Sequence, residues 1–122
     1  MSGKRAIHVT ERETAALILE QGFLGGWGDI GFGVYLWTDE AVARAYADRG
    51  GWDGCLEDPV LLLVEDETLR PISPWELHPD WDPKPYMSML WRPMDEDDPD
   101  ATWRPDRLQL LDAPSPEPGN GP

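Results

Sequence analysis

The chain has 122 residues, enough for a single domain with one modest core, and contains no run of about 18 apolar residues, which excludes a membrane-spanning helix. Its 24 acidic and 10 basic residues give a formal net charge of -14, a field that repels phosphate backbones and disfavours general nucleic-acid binding. One cysteine, Cys55, excludes an internal disulfide, and with only two histidines, His8 and His78, a zinc cluster of nitrogen and sulfur ligands is nearly excluded as well.

Met1 to Arg5 lead into an apolar stretch too short for a signal-peptide core, so a cytoplasmic location is expected. Ala6-Ile7-His8-Val9-Thr10 predicts a first strand. Thr10-Glu11-Arg12-Glu13 has the form of a capping box, which makes Thr10 the expected N-cap of a helix running through Leu19 to a C′ glycine at Gly22. Gly25 to Gly31 is a glycine-rich loop. It lacks the Gly-Lys-Ser/Thr ending of a phosphate-binding loop and precedes a strand rather than a helix, so it reads either as a flap over a pocket with Trp27 at its tip or as a loose connector.

Gly33-Val34-Tyr35-Leu36-Trp37 predicts a strand with Tyr35 and Trp37 on one face and Val34 and Leu36 on the other. Thr38 is the expected N-cap of a second helix, with Asp39 and Glu40 in its first turn, ending near Asp48. Tyr35 and Tyr46 then lie close to the strand–helix junction. They make either a slot for a flat ring or ordinary packing. Cys55 follows in a loop with no neighbouring His or Lys in sequence, which suits a buried or inert thiol. Val60-Leu61-Leu62-Leu63-Val64 is a continuous apolar run, the pattern of a strand buried on both faces, and Glu65-Asp66-Glu67 ends it.

Pro71 to Pro105 holds eight of the 13 prolines and four of the seven tryptophans. Such prolines forbid a long helix and such tryptophans argue against disorder, so extended segments wrapped on the core are expected, with a short strand over Tyr86 to Trp91. Asp95 to Asp100 is an acidic run that reads as a solvated loop rather than a metal site. His78, beside Pro79, reads as a structural turn residue. Arg107 to Leu111 predicts a last strand, and the Pro/Gly/Ser stretch 113–122 reads as a disordered tail after a domain spanning 1–112.

In order and spacing these pieces resemble the ADP-ribosyltransferase fold, in its diphtheria-toxin and poly(ADP-ribose) polymerase branch, at the size of the small rifampicin-modifying transferases. The resemblance rests on His8-Val9-Thr10, on Ile18-Leu19-Glu20-Gln21-Gly22-Phe23, on Gly33-Val34-Tyr35-Leu36-Trp37-Thr38-Asp39 and on Ala43-Arg44-Ala45-Tyr46. It covers roughly residues 6–65. It implies an α+β fold, a split antiparallel sheet with two short helices, and NAD as the substrate, with no metal. It also implies that His8 hydrogen-bonds the adenosine-side ribose of NAD, that Thr10 helps to bind NAD, that Gly33 lets the backbone approach the nicotinamide, that Tyr35 and Tyr46 sandwich that ring, and that His8 and Tyr35 count among the catalytic residues.

Two positions depart from that pattern. Val9 stands where the family has a glycine, and the last strand lacks the usual catalytic Glu, leaving Asp106 or Gln109 as candidates, with Glu65, Asp66 and Glu67 as alternatives on another strand. The implied function is an NAD-dependent mono-ADP-ribosyltransferase acting on a protein or small molecule rather than nucleic acid, away from membranes. The alternative is a catalytically inactive member of the same fold, an acidic binding protein or inhibitor of a basic partner. RNA 2′-phosphate transfer, which the fold also performs, is opposed by the acidic field.

Overall fold

The computed structural model describes residues 3–51 and 54–111. Asp112 and the expected tail at 113–122 lie outside the described residues. The fold is mixed α and β. It runs β1 (Lys4–Glu11), α1 (Arg12–Gln21), β2 (Phe23–Leu24), β3 (Gly26–Gly28), β4 (Gly31–Trp37), α2 (Glu40–Asp48), β5 (Pro59–Asp66), β6 (Arg70–Pro71), β7 (Met89–Pro93), β8 (Thr102–Trp103) and β9 (Arg107–Leu110). Single 3₁₀ turns over Pro74–Glu76 and Lys84–Ser88 lie between β6 and β7. The main sheet is antiparallel in the order β6-β7-β4-β1-β5-β9, β3 folds against β4 as a hairpin, and β2 pairs with β8 separately. Among the described residues no helix is long and apolar enough to cross a membrane.

The apolar run Val60 to Val64 is buried throughout because β5 lies between β1 and β9 with both faces covered. Alternation along the strands then sorts the core into two layers. Leu62 and Val64 join Ala6, Val34 and Leu36 beneath Ile18 of α1 and Phe23. Leu61 and Leu63 join Ile7 and Trp37 beneath Ala43 and Ala47 of α2. Each fully buried Leu or Val contributes roughly 1.5–3 kcal/mol, so the centre of the sheet carries much of the stability.

The ladder between β1 and β5 is complete, from Lys4 opposite Asp66 to Glu11 opposite Pro59. The seam between β1 and β4 is sparse: its registered pair is Ile7 with Trp37. Beyond that pair His8 Nδ1 donates to the carbonyl oxygen of Tyr35 at 2.9 Å, so a side chain takes up a polar group at a place where the strands part.

The helix caps differ from the expected ones. Thr10 remains in β1, opposite Val60, because strand pairing continues to Glu11 and holds Thr10 extended. Glu11 takes the N-cap position of α1, while its carboxylate accepts from the backbone N–H groups of Glu57 and Asp58 at 2.8 and 2.9 Å. At α2 the cap is Asp39, which accepts from the Ala41 N–H at 2.8 Å, whereas Thr38 donates its N–H to Ser88. Gly22 closes α1 as expected, at φ 95 with its N–H on the Ile18 carbonyl. The strand expected over Tyr86 to Trp91 starts later, at Met89, since Lys84-Pro85-Tyr86-Met87-Ser88 winds into a 3₁₀ turn. Cys55 is exposed rather than buried.

Candidate functional site

The glycine-rich stretch folds as a hairpin. Gly26, Trp27 and Gly28 pair with Gly33, Phe32 and Gly31, and Asp29-Ile30 forms the turn, with Gly31 at φ 146. Two of these glycines are demanded by space. A Cβ at Gly28 would overlap the ring of Tyr35, and one at Gly33 would overlap the Arg92 carbonyl oxygen on β7. Gly33 is therefore buried against β7, where the absence of a side chain serves the sheet.

The hairpin overhangs a cavity of about 280 Å³ on the α2 side of the sheet. Its floor is Ile72 and Met89, both buried, with Ile30 at one side. Tyr35 and Tyr86 wall it, and Trp27, Gly28 and Asp29 form the rim, Trp27 being 70% exposed.

Both phenols are held firmly. The Tyr35 ring stacks on Trp91, its cross-strand neighbour, at 5.5 Å and 23°, and its hydroxyl donates to the Gly31 carbonyl at 2.6 Å. Tyr86 stacks on Trp81 at 6.2 Å and 20°, and its hydroxyl donates to Asp29 Oδ2 at 2.6 Å. That bond and the nearby charge, with some burial, push the Tyr86 pKa up to about 12. Tyr35 is also raised, first by burial and further by the negative charges of Asp29 and Glu76, against the bonds to Ile30 and Gly31. Both hydroxyls are therefore neutral donors at pH 7.

The side chains expected to converge do not all do so. Tyr35 lines the cavity. Tyr46 shares its side of the sheet but packs on Trp37, at 5.3 Å and 50°, with the Arg49 guanidinium 5.5 Å from its ring centre. The second ring at the cavity is Tyr86 instead. His8 follows Ala6 onto the opposite face, where its ring meets Phe23 edge-on at 5.1 Å. Burial lowers the His8 pKa, partly opposed by its bond to the Tyr35 carbonyl, so the ring is a neutral structural donor at pH 7. Thr10 lies on that same face by strand alternation.

The candidate carboxylate substitutes also lie elsewhere. β9 is separated from β4 by β1 and β5, which at strand spacing places Gln109 roughly 14 Å across the sheet. Gln109 accepts from Arg107 at 2.9 Å. Asp106 lies just before β9, beyond the Glu65–Arg107 pair, and donates its N–H to Asp66 Oδ2 at 3.0 Å. Asp66 is buried, at 6% exposure, and accepts from the Thr68 N–H and hydroxyl as well. Burial alone would raise its pKa, but these bonds and one from Trp103 outweigh that and lower it. It is a tie between loops rather than a cavity acid. Glu65 is held by Arg107 at 3.4 Å.

Sequence reasoning missed Tyr86 and Asp29. Asp29 lies inside the glycine-rich stretch but carries no signal of its own there, and Tyr86 reaches the cavity only through the proline-rich passage between β6 and β7. The flap with Trp27 at its tip was the legible part, although the Trp27 ring turns to the other face of the hairpin, against Phe32 at 5.4 Å. Among the described residues no cluster of three or more His, Cys, Asp or Glu is arranged to hold a metal ion. The chain matches no protein-family model, no curated protein and no solved structure.

Proposed function

We propose that the chain is an NAD-dependent mono-ADP-ribosyltransferase that seats nicotinamide in the cavity beside Tyr35 and transfers ADP-ribose to a protein or small-molecule acceptor. The observation that carries this reading is the cavity itself, an aromatic-walled slot on the strand whose Gly33 to Asp39 motif carries the resemblance. At about 280 Å³ it lies at the lower end of the roughly 300–1,000 Å³ typical of ligand sites, which suits one flat ring and leaves the rest of a dinucleotide outside the rim. The sparse β1–β4 seam supports a split antiparallel sheet of the ADP-ribosyltransferase kind.

In this reading the bond between the ribose anomeric carbon and the nicotinamide nitrogen breaks. Its electron pair leaves with the ring, which departs neutral. The acceptor nucleophile bonds to the anomeric carbon and gives up its proton. The sugar is oxocarbenium-like at the transition state, and a carboxylate beside it lowers the barrier. Asp29 is the carboxylate at the cavity rim, with Glu76 close enough for its charge to act on Tyr35. Asp29 thus takes the role that the resemblance assigns to Asp106 or Gln109.

The test is nicotinamide release from NAD. Wild-type protein releases it, and Tyr35→Ala and Asp29→Asn each lower the rate by tenfold or more, about 1.4 kcal/mol in the barrier. Neither release nor NAD binding by the wild type overturns the proposal. A second reading, an inactive acidic binding protein of the same fold, is favoured by one observation: His8 faces away from the cavity. It predicts salt-sensitive binding of polylysine that survives Tyr35→Ala, with no nicotinamide release.

A further inference from the structure

We infer that the cavity beneath the Gly26–Gly33 hairpin is an organic-cation site, in which the rings of Tyr35 and Tyr86 flank a quaternary or methylated ammonium group and Asp29 is its counter-ion. This goes beyond the NAD reading and stands without it.

Two tyrosine rings wall one small cavity with Ile72 and Met89 as its floor. Trp91 backs the ring of Tyr35 and Trp81 backs that of Tyr86, so the two phenol planes are fixed before anything binds. Aromatic faces carry negative electrostatic potential and attract a cation held against them, most strongly where water is excluded. The hydroxyls do not compete for that role. The Tyr35 O–H donates to the Gly31 carbonyl and the Tyr86 O–H donates to Asp29. A ligand that needs hydrogen-bond donors therefore finds none from the phenols.

The charge at the site points the same way. Among the described residues that line the cavity Asp29 is the charged one, and none is Lys, Arg or His. Glu76 lies within electrostatic reach of Tyr35. A phosphate or carboxylate ligand meets repulsion here, and a neutral apolar ligand gains nothing from the carboxylate. A trimethylammonium head, being weakly hydrated and unable to donate hydrogen bonds, matches both the rings and the acid. Trp27 contributes to the rim, with its ring turned to the other face of the hairpin against Phe32 at 5.4 Å.

The experiment is isothermal titration of the full chain with choline and with its neutral isostere 3,3-dimethyl-1-butanol, at matched ionic strength. Choline is expected to bind saturably, and the alcohol at least about tenfold more weakly, as removal of a desolvated cation–aromatic contact implies. Asp29→Asn weakens choline binding by about the same factor, while its thermal midpoint stays at the wild-type value because the residue is exposed and the amide oxygen still accepts from Tyr86. Glu13→Gln, on the opposite side of the sheet, makes the same change in net charge and leaves choline affinity as it was. Tyr86→Phe keeps the ring, releases Asp29 from its bond and preserves or strengthens binding. Equal affinity for choline and the alcohol, absence of saturable choline binding, or a Glu13→Gln loss as large as that of Asp29→Asn overturns the proposal. None of these readouts involves NAD, so failure here and failure of the transferase reading are separate results.

Discussion

At the residue scale Asp66 does the most with a single side chain. Its carboxylate gathers bonds from Thr68, from the Asp106 N–H and from Trp103, tying the turn after β5 to the start of β9. Asp66→Asn replaces one acceptor oxygen with a donor that faces existing donors. The expected loss is about 1.5–3 kcal/mol, the usual effect of stranding buried hydrogen-bonding groups, measured by urea denaturation. The sign of the pH dependence follows from the lowered folded-state pKa. The unfolded chain takes up the proton first, so the carboxylate's contribution is complete above the ordinary value of about 3.9 and is lost as pH falls through the lower folded value. The gap between wild type and Asp66→Asn is therefore constant from neutral pH down to about 4 and narrows only below it.

At the element scale the glycine-rich hairpin separates two kinds of glycine. Gly26 has open space where a Cβ would go, whereas a Cβ at Gly33 would run into the backbone of β7. Gly26→Ala is expected to change stability by only a few tenths of a kcal/mol, and Gly33→Ala to cost about 1–3 kcal/mol as an overpacked site at the centre of the sheet. Thermal denaturation of the two variants reads the difference directly. The sequence alone gives no means of telling these glycines apart, because the obstacle at Gly33 comes from a strand about 60 residues later.

The same limit explains which elements were legible. Val60 to Val64 announced a doubly buried strand because that pattern depends on its own residues alone. Gly22 announced the end of α1 for the same local reason. Thr10 and Thr38 looked like caps and are not, since β1 pairs with β5 up to Glu11 and the Thr38 N–H is claimed by Ser88. Long-range pairing overrode a short-range preference at both places. Tyr86 was illegible as a site residue because its partner, Asp29, is 57 positions away and no periodicity links them.

At the scale of the whole molecule the sheet separates two chemistries. The α1 side holds His8 as a desolvated donor between strands, packed against Phe23. The α2 side holds the aromatic cavity, opening beneath a hairpin whose turn carries Asp29. With a formal charge of -14 on the chain, cationic molecules are drawn toward such an opening and polyanions are turned away. The overall charge, the rim carboxylate and the aromatic walls agree in sign, and the cavity beside Tyr35 is where they meet. Titration of protein carrying ¹⁵N-labelled tryptophan with NAD tests that most directly. A saturable shift of the indole N–H of Trp91, which stacks on Tyr35, is predicted, and Tyr35→Ala abolishes it. An unchanged Trp91 signal at saturating NAD, or a shift confined to Trp103 beside Phe23 on the His8 side, contradicts it.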